Sequence, residues 1–518
     1  MGSERAYSAV MDTTSAKNAQ NLHAKLKRAN DDPRDLVERL IELREDVARE
    51  AQDILASWQP ALHRAAFLPS AQNLAAYLAF RRRDVRPLQE ELASWGLSSL
   101  GRSEGRVLAT LDAVISCLAA MTGRDDVRPR PRRGSFKLGE RLLERNTRAL
   151  FGAATPERLT HIMVTLPEQA QQDPEFARAL VARGMSCARI NCAHGSHEDW
   201  QAMVRNVRDA AAQLERPCRV LMDLSGPRAR TQAAFSREDR KALAGDMLVL
   251  RASPPEDDAS APFQLEVTPA PILARLEVGT VVLVDEGRLE ARVERVDDGC
   301  VLTRVTRTPP GGMRLKPEKG LNFPGTNLGI PALTDKDRAD LDVVVANADL
   351  IGYSFVQAPS DIQALWQELE PRLAAAQGRR PGLILKIETE QAVHNLPDLI
   401  VAAAGRAPVG VMIARGDLAV EVGYQRLAEL QEEILWLAEA AHTPVIWATA
   451  VLDRLVRKGT PSRAEISDVV LAQRAECVML NKGEFILDAV AVVDDVFRRM
   501  EGHQHKKTAR LRPLRAWS

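Results

Sequence analysis

The stretch Leu383-Ile384-Leu385-Lys386-Ile387-Glu388 is a short apolar run that is interrupted by one lysine and ended by a glutamate. A run of this length, followed by a helical pattern, predicts a buried β-strand. The same alternation of strand and helix extends along the chain in both directions. The eight strands that it predicts are Ile162–Thr165, Cys187–Ile190, Val220–Asp223, Leu350–Ser354, Leu383–Ile387, Gly410–Ile413, Val445–Ala448 and Cys477–Leu480. Eight such units indicate an α/β fold, the (β/α)8 TIM barrel, which takes about 250 residues.

The barrel interpretation requires that residues 232–327 be set aside, because their pattern is different. Strand-like segments follow one another there without helices between them, at Val281–Val284, Ala291–Val296 and Val301–Val305. We predict an inserted small β-barrel lid domain after the third strand, since loops at the carboxyl-terminal face of a TIM barrel tolerate insertions. The catalytic barrel would then comprise residues 159–231 and 328–501.

Residues 1–158 are predicted to form an α-helical N-terminal domain. Apolar residues recur there at three- and four-residue spacing, as in Leu36-Val37-Leu40-Ile41-Leu43. The region contains no group of residue types that would form a reaction centre, so a structural addition, a dimerisation arm and a regulatory module all remain open. Residues 502–518 form a basic tail.

The overall composition excludes several classes of protein. The 518 residues contain 70 Lys and Arg against 70 Asp and Glu, so the basic excess expected of a nucleic-acid or acidic-membrane binder is missing. No uninterrupted run of 18 or more apolar residues occurs and the N-terminus is polar, so we expect no membrane span or secretion signal and a cytoplasmic protein. The six cysteines show no CxxC spacing, which favours reduced core thiols over zinc sites or disulfides.

Polar residues collect just after the predicted strands, where TIM-barrel enzymes build their sites. Lys386 lies in an apolar strand and must face an anionic group, because burying an unpaired charge is costly. Glu388 is two residues further on and therefore points the same way, and Asp417 follows the next strand. Two converging carboxylates form a hard-oxygen site suited to Mg²⁺, with Mn²⁺ as an alternative ion.

Cationic side chains surround this predicted metal site. Arg189 and Arg230, together with Lys386, would attract an anionic, phosphorylated substrate, and the chemistry suggested is phosphoryl transfer. Each pair also has a purely structural interpretation. Lys386 with Glu388 or Asp417, and Arg189 with Asp223, are possible ion pairs at the barrel rim.

Taken together, the residues resemble the pyruvate kinase family. The matching segments run in the family's order over about residues 160 to 500, and they are Ala188–Gly195, Met222–Thr231, Val284–Gly287, Lys319–Gly325, Pro331–Asp337, Lys386–Glu388, Met412–Glu421 and Thr460–Val469. The resemblance implies Mg²⁺-dependent phosphoryl transfer from phosphoenolpyruvate to ADP, giving pyruvate and ATP in glycolysis. The chain would be a form of the family with an N-terminal helical extension and without the C-terminal effector domain.

By this resemblance, Glu388 and Asp417 hold the metal, and the catalytic residues are Lys386, Arg189 and Thr449. Lys386 would stabilise the phosphoryl group and the enolate oxygen, Arg189 would contact the phosphate, and Thr449 would lie near the carbon that is protonated. The implied partners are phosphoenolpyruvate and ADP or ATP, and a homo-oligomer, either dimer or tetramer, is expected.

The resemblance also implies two sets of binding residues. Those on the side of phosphoenolpyruvate are Gly416, Asp417, Thr449, Lys386 and Ser354, with the backbone amides of a helix N-terminus favouring the carboxylate. Those on the nucleotide side are Asn191, His194, Arg230 and Lys319, the last reaching in from the lid.

One departure from the family concerns the monovalent cation. Ala193 stands where K⁺-dependent members usually have a serine ligand, although Asn191 and Asp223 are retained, and Arg228 stands at the position that is acidic in those members. We expect the fixed guanidinium of Arg228, together with Asn191 and Asp223, to replace the ion, so that K⁺ is not required.

Other departures leave two alternatives open. Asn481-Lys482-Gly483-Glu484 replaces the usual segment after the eighth strand, and Gln357 replaces a frequent arginine after the fourth. We expect both changes to alter nucleotide affinity and specificity, while the metal, phosphate and carboxylate residues are retained. One alternative is a barrel lyase or aldolase acting on an enolpyruvate-type substrate, because a pair of metal-binding acids and a carboxylate pocket serve any stabilised enolate. The other is a catalytically silent, pyruvate-kinase-like regulatory protein.

Overall fold

The N-terminal part of the chain is helical. The computed structural model describes residues 33–127, 130–155, 157–258, 261–297, 299–376, 380–506 and 508–509. The helices before the barrel are α1 (Pro33–Trp58), α2 (Leu68–Arg81), α3 (Arg86–Ser94), α4 (Val107–Thr122) and α5 (Arg133–Phe151). Short 3-10 turns connect them at Gln59–Ala61, Ala65–Phe67 and Glu104–Arg106. Apolar side chains of α1, α2 and α4 are buried together, which gives the bundle its core.

The first three barrel units follow directly. They consist of β1 (His161–Thr165), α6 (Gln169–Gln172), α7 (Pro174–Ala182), β2 (Cys187–Asn191), α8 (His197–Gln213) and β3 (Arg219–Asp223). Helix α8 begins with a capping box in which Ser196 and Asp199 bond each other's backbone amides, so its start is fixed by local sequence.

A second sheet is inserted after β3. Its strands are β4 (Arg230–Ser236), β5 (Met247–Arg251), β6 (Phe263–Thr268), β7 (Val281–Val284), β8 (Leu289–Asp297), β9 (Cys300–Arg307) and β10 (Leu321–Asn322), with 3-10 turns at Arg237–Asp239 and Ala270–Arg275. The strand order is β10-β7-β8-β9-β5-β6-β4. A bridge between Arg230 and Gly320 joins the two ends, so the sheet curls around its own apolar cluster.

The chain then completes the barrel. The remaining elements are α9 (Asp335–Asn347), β11 (Leu350–Tyr353), α10 (Pro359–Ala376), β12 (Gly382–Ile387), α11 (Glu390–His394), α12 (Leu396–Ala404), β13 (Val409–Ala414), α13 (Arg415–Val422), α14 (Tyr424–Ala440), β14 (Val445–Ala448), α15 (Asp453–Lys458), α16 (Arg463–Ala472), β15 (Cys477–Leu480), α17 (Ile486–Met500), and the hairpin β16 (Gln504–His505) and β17 (Thr508–Ala509).

The predicted fold class is confirmed. Eight parallel strands close in the order β1-β15-β14-β13-β12-β11-β3-β2, and each begins and ends within one residue of its prediction. A separate sheet interrupts the barrel and helices precede it, as expected. Because parallel strands present their carboxyl ends at one rim, the polar residues after β2, β3, β12, β13 and β14 meet there.

The opposite end of the barrel is filled by the end of α5. Leu150 and Phe151 are almost completely buried and belong to the same apolar cluster as residues from the barrel strands. Gly382 and Gly410, in β12 and β13, leave room for Leu150, since a Cβ atom on either would lie 2.5 Å or 3.1 Å from its methyl groups. The helical region therefore contributes directly to the barrel core.

Further contacts hold the helical region against the outer helices of the barrel. The Trp58 indole N–H donates to Asp398 of α12 at 2.7 Å. The Asn73 amide donates to the carbonyl of Ala440, at the end of α14, at 2.8 Å. In this structure the region thus packs on its own barrel over several elements.

Within the described residues, one helical stretch, Glu104–Thr122, is long and apolar enough to cross a membrane by length and composition. Arg106 and Asp112 interrupt its apolar sequence. Asp112 pairs with Arg44 of α1 at 2.7 Å, and Leu111 and Leu118 are buried in the bundle. The stretch is packed here as a bundle helix.

Candidate functional site

Lys386 is held at the centre of the carboxyl-terminal rim by three neighbours. Its Nζ donates to Ser354 Oγ at 2.6 Å and lies 3.3 Å from Asp223 and 3.2 Å from Glu388. Burial opposes the charged form, but the carboxylates of Asp223 and Glu388 raise the pKa of Lys386 above its usual range. The lysine therefore remains an ammonium group in a nearly dry site.

Asp223 links Lys386 to Arg189. Arg189 Nε donates to Asp223 Oδ2 at 2.9 Å, and its Nη1 donates to Thr165 Oγ1 at 3.0 Å. Burial opposes ionisation of Asp223, yet Lys386 and Arg189 together lower its pKa. The predicted structural pair is thus real, and it also fixes two cations side by side, facing the mouth of the barrel.

Ser354, which the sequence places on the substrate side, is buried beneath Lys386. Its hydroxyl donates to the Leu224 carbonyl at 2.6 Å and accepts from Lys386. It therefore orients the lysine in this structure.

Glu388 and Asp417 provide the hard oxygen donors expected for a divalent cation. Burial raises the pKa of Glu388, Lys386 counteracts this effect, and the nearby carboxylate of Asp417 raises it further. Two carboxylates at this rim provide the negative charge and the hard oxygen atoms that a divalent cation requires. Among the described residues no cluster of three or more potential ligands is found, so water and substrate oxygens would complete the coordination of Mg²⁺.

Arg228 makes a contact that was not predicted from the sequence. Its Nη2 lies 2.7 Å from Asp417 Oδ1, whereas Asp223 bonds Arg189 and Lys386, and Asn191 accepts from the backbone of Ala193. Asn191 and Asp223 are register neighbours on β2 and β3, but among the described residues Arg228 has no hydrogen bond or ion pair with either of them.

Thr449 and Gly416 meet at the ends of β14 and β13. A Cβ atom on Gly416 would lie 2.7 Å from the Thr449 methyl carbon, so only glycine allows this approach. Thr449 has a φ of 68°, a conformation that costs a β-branched residue energy unless its surroundings hold it.

Arg415 supplies that support. Its guanidinium donates to the carbonyls of Ala448 and Thr449 at 2.9 and 2.7 Å, and to both carboxylate oxygens of Asp468 at 2.6 and 2.9 Å. It also stacks on Trp447, 4.6 Å from the ring centroid. Sequence reasoning assigned no role to Arg415 or Asp468, although both lie in the motifs quoted above, because their 53-residue separation does not show that they meet.

The predicted nucleotide side is cationic. Partial burial, followed by the charges of Lys482 and Arg230, lowers the pKa of His194, which places these three side chains near one another. Lys319 Nζ is 2.9 Å from Asp285 Oδ1, and both residues lie in loops of the insert, next to β10 and β7. Lys482 comes from the segment that departs from the family pattern, so this departure adds a positive charge.

The linker between barrel and insert is fixed by α9. Asp337, in the first turn of α9, accepts hydrogen bonds from the backbone amides of Ser225 and Gly226, the shortest being 2.8 Å. Gly226 has a φ of 68°, and a Cβ atom there would lie 2.8 Å from Ser354. Contacts between the segments Met222–Thr231 and Pro331–Asp337 therefore fix the end of β3 close to Ser354, which bonds Lys386.

Glu421 joins the inserted sheet to the barrel. Asn322 of β10 donates to Glu421 Oε1 at 3.2 Å. The pKa of Glu421 is raised to about 7, mainly by burial. The hydrogen bond from Asn322 lowers the pKa, whereas the carboxylates of Asp417 and Glu390 raise it further. This contact was not predicted, because nothing in the sequence shows that Glu421 faces the insert.

We predict that Glu421 makes stability depend on pH. With a pKa of about 7 in the folded protein against 4.5 for the free side chain, folding takes up a proton between these values. The stability contribution is present below pH 4.5 and is lost as pH rises through 7. Glu421→Gln should therefore match the wild type at low pH and exceed its unfolding free energy by about 3 kcal/mol above pH 7.

Melting temperatures measured at several pH values test this, with the exposed Glu433→Gln as control. A constant difference between wild type and Glu421→Gln across the pH range would contradict the prediction.

Comparisons with known proteins agree with this geometry. A family model described as the barrel domain of pyruvate kinase matches residues 157–490. The chain belongs to the pyruvate kinase family. Pyruvate kinase from Methylorubrum extorquens is 33% identical over 352 residues, covering 66% of this chain and 69% of the relative. Pyruvate kinase 2 of Synechocystis is 34% identical over 355 residues, covering 66% and 57%.

The solved structures give the same family. A pyruvate kinase from Cryptosporidium parvum superposes with a TM-score of 0.60 at 26% identity, covering 68% of this chain and 72% of that one. The family model does not include the helical region before residue 157. The chain spans 57% of the length of relatives such as the Geobacillus stearothermophilus pyruvate kinase.

Proposed function

We propose that the protein is a Mg²⁺-dependent pyruvate kinase that transfers the phosphoryl group of phosphoenolpyruvate to ADP, giving pyruvate and ATP. The observation that carries the proposal is the arrangement around Lys386. A buried ammonium group lies between Asp223 and Glu388, with Arg189 beside it. This arrangement can neutralise charge on a transferring phosphoryl group and on an enolate oxygen.

Different residues of the site would serve phosphoryl transfer, protonation of the enolate, and binding of the substrate carboxylate and the metal. As the bond from phosphorus to the enol oxygen breaks and a β-phosphate oxygen of ADP takes the phosphoryl group, Lys386 and Arg189 would stabilise the negative charge. Lys386 would then hold the enolate oxygen while carbon 3 is protonated, with Thr449 positioning the proton donor. The backbone amides of Gly416 and Asp417 would bind the substrate carboxylate. Glu388 and Asp417 would hold the divalent cation, Mg²⁺ or Mn²⁺, which supplies further charge neutralisation.

The remaining assignments are part of the proposal. Asn191, His194, Arg230 and Lys319 would contact the nucleotide, and the chain would divide into residues 1–158, the barrel 159–231 and 328–501, the lid 232–327 and the tail 502–518. We further propose a cytoplasmic homo-oligomer, either dimer or tetramer, without nucleic-acid or membrane partners. Any subunit contact through the helical region would use the surface that faces away from its own barrel.

A coupled assay for pyruvate tests the main proposal. Pyruvate should form from phosphoenolpyruvate only when ADP and Mg²⁺ are both present. Formation without ADP would favour the lyase alternative. No formation under any condition would favour the silent relative, to which the Arg228–Asp417 ion pair gives some support because it occupies a metal ligand.

We also predict activity without K⁺. Arg228 brings a cation to the barrel rim, where it pairs with Asp417, and a guanidinium is not deprotonated in proteins. Turnover measured in sodium or tetramethylammonium salts should match turnover in K⁺ at equal ionic strength. A many-fold increase on adding K⁺ would contradict this.

Asp468→Asn should lower kcat about 10- to 100-fold while changing KM for phosphoenolpyruvate less, because loosening Arg415 releases the strained backbone of Thr449. Steady-state kinetics measure this. Asp453→Asn is the matched control, because Asp453 pairs with Arg457 on the protein surface. An unchanged kcat in Asp468→Asn would show that the support is not needed.

A further inference from the structure

We propose that Arg228 competes with the divalent cation for the Asp417 carboxylate, so that this ion pair weakens metal binding until the guanidinium is displaced. The inference rests on the proposed metal site, and it concerns a residue whose expected contact was with Asn191 and Asp223. Its consequence is a site that binds free metal less tightly than its two carboxylates alone would.

The contact has the geometry of a releasable pair. A single N···O distance of 2.7 Å joins Arg228 to Asp417, and no second bond makes it bidentate. The two side chains are 33% and 20% exposed, so water reaches both groups. A single, partly solvated ion pair contributes about 0.2 to 1 kcal/mol, which a divalent cation can overcome.

The negative charge of Asp417 has this guanidinium as its counter-ion. Within the described part of the chain, Arg228 is its one ion-pair partner, whereas Glu388 has Lys386. A divalent cation and the Arg228 guanidinium cannot both bind Asp417 Oδ1 at the same time. Metal binding therefore requires that Arg228 move or share the carboxylate through its other oxygen.

The location of Arg228 couples this movement to the inserted sheet. It lies on the linker between β3 and β4, and a Cβ atom on Gly320 would lie 3.4 Å from its Nη2. Gly320 directly precedes β10, whose Asn322 bonds Glu421 of α13, the helix that also carries Asp417. The guanidinium thus lies between the insert and the metal ligand, and its displacement alters a contact between them.

Direct competition differs from a general effect of positive charge, and Arg230 separates the two. Arg230 is two residues further along the same segment and makes no ion pair with Asp417. If Arg228 acts only through its charge, removing either arginine should strengthen metal binding similarly. If it occupies the ligand, only its own removal should have a clear effect.

The experiment measures Mn²⁺ binding to the full-length protein by electron paramagnetic resonance of the free ion, without substrates. We expect Arg228→Gln to lower the Kd for Mn²⁺ about three- to fivefold and Arg230→Gln to change it less than about twofold. Arg228→Ala provides an independent measurement should the first variant fold poorly. Equal shifts in the Arg228 and Arg230 variants, an unchanged or higher Kd in Arg228→Gln, or no binding by any of them would overturn the proposal.

This result is independent of turnover. A lowered Kd together with no pyruvate formation would reject the proposed function and leave the competition intact. Pyruvate formation together with an unchanged Kd would support the proposed function and reject the competition between Arg228 and the metal.

Discussion

Replacing Lys386 with methionine is expected to lower kcat for pyruvate formation by at least about 1000-fold, as measured by the coupled assay. The ammonium group is buried and held within 3.3 Å of Asp223, Glu388 and Ser354, so no water or mobile cation can take its position without rearrangement. Its loss removes the charge that would stabilise both the phosphoryl group and the enolate oxygen. Methionine fills a similar volume, so packing should change little.

The same substitution leaves Glu388 without a cationic partner, which should also reduce stability. Lys506→Met is a matched control, because Lys506 is another largely buried lysine that pairs with a carboxylate, Glu476, away from the site. Both variants should unfold at lower temperature, but only Lys386→Met should lose activity. If Lys386→Met kept more than about a tenth of wild-type kcat, the assigned role of the lysine would be wrong.

The barrel strands were predictable because almost all of their residues, on both faces, are buried. Val445–Ala448 and Cys477–Leu480 agree with the prediction to the residue, since an apolar run ends where the strand leaves the core. In the inserted sheet, β4 (Arg230–Ser236), like β5, β6 and β10, was not predicted. It is mostly half-exposed, and a register shift between Thr231 and Ala233 breaks the alternation of apolar and polar residues on which such predictions depend.

The candidate site was predictable only in part, because the positions of the strand ends follow from the sequence pattern and the pairing of the side chains does not. The rule that strand ends converge at one rim placed Lys386, Glu388 and Asp417 together, and the structure does so. The spacing of residues along the sequence does not show which carboxylate an arginine side chain will pair with. Arg228 pairs with Asp417, and Arg415 pairs with Asp468 of α16. Such choices depend on side-chain geometry after folding.

The position of the helical region also required the structure. Periodicity indicates that α5 is an amphipathic helix, but it does not show where its last turn is buried. Leu150 is 1% exposed and fills the space left by Gly382 and Gly410 at the closed end of the barrel. Deleting residues 1–150 would therefore expose the barrel core as well as remove any subunit contact, so a point substitution is the cleaner test of this region.

Leu150→Ala is expected to lower the free energy of unfolding by about 3 to 5 kcal/mol, at the upper end of the range for buried leucines. The neighbouring glycines have no side chains that could move into the cavity, and the strands that carry them are closed in a barrel and cannot collapse inward. Unfolding by urea, followed by circular dichroism, measures the change. Leu138→Ala, on the same helix but with the leucine 48% exposed, is the matched control and should cost less than about 1 kcal/mol. Equal losses in the two variants would mean that the end of α5 does not stabilise the barrel. A loss confined to Leu150→Ala would show that part of the barrel core is supplied by the N-terminal helical region, which the family model does not include.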